Sequence, residues 1–502
     1  MTSRRTLTHA LLVLASVALY AAAFPPLEWA PLAWIALAPL LVVAARSSGV
    51  GAPLFGLAWG VLLAFATGSW MPGMIERFFG AAHATAWAAS FGLALALYGV
   101  WAALFAGFVR LAVQRRVANP AVLAAGFGAC ELLRASAPVP SPWVLLGTSQ
   151  LGWSALAQSA DFAGPFGIGM LVAGANACLA GVFEPALQPR RPLRAAACIG
   201  LLLAAALVYG GWRLRHDFGE GPEVSAALLQ DAGATGRDAS AGIEARLALT
   251  ARALPSEPRL VVWPELALRS SLRDDSAASA RLLGAAAATH ADWLVGGPDP
   301  QEWAMRTDRF NSVFLVRDGR VAGRYDKALL MPFAEENPLP HWLSSWRRPF
   351  SPGDPRYTRP LGAGDLRVGV LLCSEAMVPT RVRALVAQGA ELLVNPAYDE
   401  WFGSEGAVRQ LLRLAQLRAI ESRRYVVRAT TGGISAAIDP HGQVIASLPR
   451  GASDVLLARV RAAHAVSPYQ RWGDALPLAG GAFAALALVF PFAGLRRTAQ
   501  ES

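Results

Sequence analysis

The stretch Val-Gly-Val-Leu-Leu-Cys-Ser-Glu-Ala-Met, residues 368–377, decides how the chain folds. It reads as an apolar strand that ends in a thiol and a carboxylate, so Cys373 and Glu375 stand at or just beyond a strand end, where side chains emerge at the rim of a sheet. Two other strings have the same form: LVVWPEL at 260–266 delivers Glu265, and GRYDKALLMPFAEE at 323–336 delivers Lys327 and Glu335. Alone, each has an ordinary explanation: a solvated turn for the glutamate, a surface site for the lysine, core packing for the cysteine. Together they supply a nucleophile, a carboxylate base and a cation, the parts needed for acyl transfer through a thioester. A free thiol is only a few per cent ionised at neutral pH, so attack needs a base such as Glu265 to take the proton. The intermediate oxyanion needs a compact positive charge. Lys327 is the only lysine in a chain with 44 arginines, and an ammonium fits that role where a forked guanidinium does not.

Outward from these strings, residues 217–470 have the texture of an α/β domain. Strands are expected at 224–229, 260–263, 293–296, 312–316, 321–325, 368–372, 391–394, 425–429, 435–438 and 444–447. Helices are expected at 241–254, 277–290, 379–389 and 404–423. Asp318-Gly319 and His441-Gly442 read as hairpin turns.

The rest of the chain is different. Apolar residues make up 54 % of the 502, charged residues only 16 %, against about 25 % in ordinary soluble domains, and mean hydropathy is +0.37. Uncharged windows near 6–23, 29–45, 51–70, 84–109, 117–133, 162–183, 195–212 and 475–495 are candidate membrane spans. The window 117–133 runs into Glu131 and Arg134 and has an alternative reading as an interfacial helix; the first window has one as a cleaved signal peptide. With Arg4 and Arg5 inside, alternation also puts Arg46, Arg110, Arg115, Arg116, Arg190, Arg191, Arg194, Arg496 and Arg497 inside, and the α/β domain outside. The expected division is 1–216, a transmembrane region of about seven helices; 217–470, a periplasmic catalytic domain; and 471–502, a last span with a cytoplasmic tail. The net charge of +10 lies in arginine pairs beside apolar windows, not in a basic stripe with interleaved aromatics, which argues against nucleic acid. Four cysteines, three of them in or beside apolar stretches, indicate no disulfide framework.

The ordered Glu–Lys–Cys set resembles the nitrilase, or carbon-nitrogen hydrolase, superfamily over about residues 222–460. The further strings WPE, YDK followed by PF and a glutamate, Cys-x-Glu, and WFG at Trp401–Gly403 look like its apolipoprotein N-acyltransferase branch. So do FPPLEWAPLAWIALAPLL at 24–41, ELLR at 131–134, PWVLLGTSQ at 142–150 and GPFGIGMLVAGANACLA at 164–180. The resemblance implies a polytopic α-helical membrane domain joined to an αββα nitrilase-like sandwich. It implies Glu265 as general base, Lys327 and the backbone N–H of Ser374 as oxyanion donors, and Cys373 as acyl-accepting nucleophile. Glu335 would support the lysine and thiol, Glu375 would be an acidic residue beside the nucleophile, and Trp401, Phe402 and Gly403 would meet substrate. No cofactor or metal is implied. The implied reaction moves a fatty acyl chain from a membrane phospholipid to the free amine of a diacylglyceryl cysteine that begins a lipoprotein, at the outer face of the inner membrane.

Four features depart from the pattern: Ser374 in place of an aromatic residue, extra residues in NPAYDEWFG, a 404–423 helix without a Gln-His pair, and no tryptophan in LLQDAGATGRD. They predict a weakened or shifted acceptor preference, and leave open an acyltransferase acting on another amine acceptor. Two other functions remain open from sequence. One is a membrane-anchored amidase with water resolving the thioester; the other is a lipid-binding scaffold or transporter. The apolar segments 331–350 and 398–403 are expected to cover the site.

Overall fold

The computed structural model of the protein describes residues 2–136, 139–232, 239–274, 276–300, 309–337 and 350–490. It forms two compact units, Met1–Arg215 with Trp472–Ser502, and His216–Arg471. Residues 338–349 of the expected cover, residues 233–238 of LLQDAGATGRD, and Arg496 and Arg497 lie outside the described residues.

The first unit is helical, and helices stand at all eight apolar windows. Arg4–Ala22, His83–Gln114, Ala160–Phe183 and Pro192–Arg213 are long and apolar enough to cross a bilayer; Gly51–Thr67 with Met71–Phe79, bent by 63°, adds a fifth if the pair counts as one span. Ala30–Arg46 and Ala475–Val489 are apolar but shorter. The count by length is therefore below the eight windows; in Ala30–Arg46, Pro31 and Pro39 stand at the starts of separate short helices.

Ala30–Arg46 shows how a break is accommodated. Asn176 Oδ1 accepts the backbone N–H of Leu37 and of Ala38, at 2.8 and 3.0 Å, while its Nδ2 donates to the Ala33 carbonyl at 2.9 Å. One buried amide thus satisfies backbone groups that hydrocarbon would leave unpaired. Two of the sequence strings meet here, and two more meet at Glu131, whose Oε1 accepts the Leu146 N–H at 2.8 Å, and Arg134, which donates to the Trp143 carbonyl at 2.9 Å. Both charged residues are buried on Pro120–Ser136, which packs against Val100–Gln114, Ala160–Phe183 and Ala475–Val489. An interfacial helix would leave one face open; this one sits inside the bundle, and its charges face backbone.

The second unit holds two six-stranded sheets. The first contains β1 (Glu223–Gln230), β2 (Leu260–Val262), β3 (Asp292–Pro300), β4 (Arg309–Arg317), β5 (Arg320–Asp326) and β12 (Asp454–Arg461), in the order β12-β1-β2-β3-β4-β5. The second contains β6 (Leu361–Ala363), β7 (Leu366–Val370), β8 (Leu392–Tyr398), β9 (Val426–Thr431), β10 (Ala436–Ile438) and β11 (Val444–Ser447), in sequence order across the sheet. Along β1, Val224, Ala226 and Leu228 enter the core between the sheets with Val368, Val370, Leu392 and Val394, while Ala227 and Leu229 point the other way, with Trp263, Trp293 and Phe314. The period of two buries both faces of the first sheet. Helices Ala239–Ala251 and Ala277–Ala287 pack with the first sheet, and Pro379–Ala387 and Glu405–Ser422 with the second, which gives an αββα sandwich. The Asp318-Gly319 turn has both φ angles positive, 51° and 69°, as a tight hairpin between right-twisted strands requires.

Candidate active site

β1, β2 and β3 run parallel, as do β7, β8 and β9, so their C-terminal ends share a rim within each sheet. Glu265 follows β2 by three residues, Lys327 follows β5 directly, and Cys373 follows β7 by three. The turn that carries Glu265 lies against β3 at Gly296, where a Cβ would stand 2.3 Å from the Pro264 carbonyl oxygen; only glycine permits that approach. Cys373 opens the short helix Cys373–Met377 with φ at 46°, a left-handed conformation that costs a side-chain-bearing residue about 1–2 kcal/mol.

The fold brings Glu265, Lys327, Glu335 and Cys373 together, all buried. Lys327 Nζ lies 3.1 Å from Glu265 Oε1 and 2.7 Å from Glu335 Oε2. Glu265 Oε2 accepts the backbone N–H of Tyr398 at 3.0 Å, and Glu335 Oε2 accepts that of Met331 at 2.8 Å. The Cys373 thiol stands close enough to Glu265 for each to act on the other's proton affinity.

Burial sets the protonation states. It raises the Glu265 carboxyl above its ordinary value against the opposing charge of Lys327, and the Glu335 charge pushes the same way as burial. Burial alone would lower the Lys327 ammonium, but Glu265 and Glu335 outweigh it and hold the amine well above its ordinary value. The Cys373 thiol is pushed well up by burial and by the Glu265 charge, with Lys327 opposing. The resting nucleophile is thus a thiol, and its proton must leave as the sulfur attacks. Transfer to Glu265 leaves the net charge of the cluster unchanged and replaces a repelling carboxylate with a neutral acid, so that Lys327 then faces the thiolate.

Glu375 has a different place from the other acids. Its Oε1 accepts the N–H groups of Ala328 and Leu329 at 2.8 and 3.1 Å; its Oε2 accepts the Tyr325 hydroxyl at 2.6 Å and the Leu372 N–H at 2.8 Å. It joins the segment after Lys327 to the residue before Cys373 and acts as a brace between two site elements. Ser374 is half-buried beside the nucleophile. The turn Glu400–Phe402 follows Tyr398, the residue that touches Glu265. Within it Trp401 is half-buried, Phe402 is fully buried as core, and Gly403 takes the left-handed φ of 60° that ends the turn. The expectation of substrate contact therefore rests on Trp401 more than on Phe402 or Gly403.

Sequence reasoning passed over Asn311, Asn395, Arg428, Asp399 and Tyr325. Asn311 on β4 donates from Nδ2 to both Glu265 Oε1 and Glu335 Oε1, each at 2.8 Å, and so bridges the two carboxylates that the ammonium also joins. Its only sequence signal is a buried-strand position occupied by an amide that the core cannot satisfy.

Two family descriptions match the chain: carbon-nitrogen hydrolase over residues 225–467 and apolipoprotein N-acyltransferase N-terminal domain over residues 16–178. Among known proteins it is similar to the apolipoprotein N-acyltransferase of Geobacter metallireducens, 31% identical over 96% of this chain and 95% of that one. It is likewise similar to that of Pseudomonas paraeruginosa, 30% identical over 98% and 97%. Among solved structures it is similar to a carbon-nitrogen hydrolase from Helicobacter pylori, at 18% identity and a TM-score of 0.38, over 47% of this chain and 89% of that one. Near-full-length identity to these relatives, together with the two domain matches, makes this chain a member of the apolipoprotein N-acyltransferase family.

Proposed function

We propose that the protein transfers a fatty acyl group from a phospholipid to the N-terminal amine of a diacylglyceryl-cysteine lipoprotein, with Cys373 as the covalent carrier. The observation that carries the assignment of residues is the shared Lys327 ammonium, within 3.1 Å of Glu265 and 2.7 Å of Glu335, beside a buried thiol. In the first half-reaction the Cys373 sulfur attacks the ester carbonyl as Glu265 takes the thiol proton. The oxyanion forms between Lys327 Nζ and the Ser374 N–H. It collapses with loss of the lysophospholipid alkoxide, which takes the proton from Glu265, and leaves a thioester. In the second, the acceptor amine attacks the thioester and gives a proton to Glu265; collapse releases the Cys373 sulfur, which recovers that proton, and an amide.

The catalytic unit faces the periplasm from the inner membrane in this reading, as the arginine distribution among the loops supports. Trp401 contacts substrate, and the departures at Ser374, before Trp401 and in Glu405–Ser422 shift acceptor preference.

The test is the intact mass of the protein after incubation with phospholipid vesicles alone. A fatty-acyl adduct on Cys373, labile to hydroxylamine and cleared by a diacylglyceryl peptide with a free α-amine, is expected; Cys373→Ala should acquire none. Rapid loss of the adduct to water would make the enzyme an amidase-like hydrolase instead.

A further inference from the structure

The Cys373 Cα sits between two peptide planes that are both held. Before it, the Leu372 carbonyl accepts the backbone N–H of Glu375 at 3.0 Å. After it, the Cys373 carbonyl accepts a hydrogen bond from Asn395 Nδ2 at 3.3 Å, and the same nitrogen donates to the Leu371 carbonyl. Asn395 is itself held. Its Oδ1 accepts from Arg428 Nη1, and Arg428 Nη2 donates to Asp399 Oδ2 at 2.5 Å. Asn395 on β8 and Arg428 on β9 are paired in register, so the sheet delivers them face to face. All three side chains are at most 2 % exposed. Space for Asp399 depends on Gly433, whose Cβ would fall 2.2 Å from Oδ2.

The chemistry of the chain fixes its direction. A guanidinium has donors only, so the amide must present Oδ1 to Arg428 and Nδ2 to the two carbonyls. A trans peptide is planar, with its C=O and N–H on opposite sides. Holding the Cys373 oxygen toward Asn395 therefore aims the Ser374 N–H the opposite way. The restraint matters because this plane turns through ψ of Cys373 and φ of Ser374, and such a turn would swing the Ser374 N–H away from the oxyanion.

We propose that Asn395, held by Arg428 and Asp399, is a positioning residue that sets the Cys373–Ser374 peptide plane so that the Ser374 N–H points at the oxyanion. The inference rests on the acyl-transfer reading above. It assigns the Asp399–Arg428–Asn395 chain to orienting a backbone donor, not to activating the thiol.

Two reactions of the same sulfur separate these roles in the full-length protein in detergent. Acylation by phospholipid develops an oxyanion. Alkylation by iodoacetamide forms the S–C bond as iodide leaves, with no oxyanion. Asn395→Leu removes the donor at similar size without adding charge, and Asn395→Ser leaves a hydroxyl too short to reach. In both, single-turnover acylation of Cys373 should fall about 100-fold, the scale for losing one oxyanion donor. Alkylation should keep the wild-type rate and pH profile. Acylation at the wild-type rate overturns the inference, and so does a parallel fall of both reactions or an alkylation profile like that of a free thiol. If the wild-type protein itself takes no acyl group from phospholipid, the acyl-transfer reading falls instead.

Discussion

Lys327 Nζ serves two carboxylates in a pocket closed to water, and this sharing makes its shape matter as well as its charge. A guanidinium would pair with both acids but would spread its charge away from the oxyanion. Lys327→Arg should lose about 100-fold in acylation rate, on the scale of one oxyanion donor, while thermal unfolding in detergent stays cooperative; near-normal turnover would remove the lysine from the mechanism. A second prediction concerns pH. Because burial holds the Glu265 carboxyl above its ordinary value, the base is protonated, and idle, over a wider acid range than a surface glutamate. The acid limb of the acylation rate should lie above the ordinary glutamate range, the apparent value belonging to the coupled acids. Glu335→Gln removes a charge that raises Glu265, so the limb should move to lower pH; a limb that does not move would take Glu335 out of the electrostatics. At this scale the sequence was legible where chemistry is rare: one lysine, one cysteine ending a strand, one glutamate after Trp-Pro. Asn311 and Asn395 were not legible, because an asparagine within an apolar run says nothing of its partners until Glu265, Glu335, Cys373 and Arg428 have been folded around it.

Glu375 shows what an element-scale reading adds. Four donors from two segments converge on its two oxygens, and burial raises the carboxyl, with Arg381 and the Tyr325 hydroxyl opposing. An amide offers one oxygen and turns two hydrogens toward donors. Glu375→Gln should therefore destabilise the unit by about 2 kcal/mol and lower its midpoint in detergent by about 4–8 °C; an unchanged midpoint would show that the brace is dispensable. The elements themselves were read where hydrophobic period was clear: each of the ten expected strands has a counterpart, most of them longer in the structure, and the four helices lie within three residues of expectation at each end. β6 and β12 were missed. Asp454–Arg461 reads DVLLARVR, a composition as good for a helix as for a strand, and its state is decided by antiparallel pairing with β1, some 230 residues earlier, as counted from the register. β6 has three residues and no period to detect.

On the scale of the whole molecule, the arginine pattern predicts a topology that fusion reporters can check. A reporter near residue 300 should report the periplasmic side and one after Arg497 the cytoplasmic side; cytoplasmic signal at residue 300 would end the lipoprotein reading, whose acceptors are presented outside. The sequence delimited the helical unit through composition, but composition could not say which windows would be straight spans. That depended on Pro31 and Pro39 breaking one window, on Asn176 satisfying the break, and on the placing of Glu131 and Arg134 against backbone in the bundle interior.

Ala475–Val489 packs against Pro120–Ser136, the helix that buries Glu131 and Arg134. The consequence is one of timing. A ribosome makes the charged helix early, then Ala160–Phe183, Pro192–Arg213 and the whole α/β unit, and only then Ala475–Val489, which packs on it. For that whole interval Pro120–Ser136 lacks one of the helices that pack on it. Ala475–Val489 thus completes packing that Pro120–Ser136 begins, and losing it should leave the thiol chemistry intact in a helical unit that never closes.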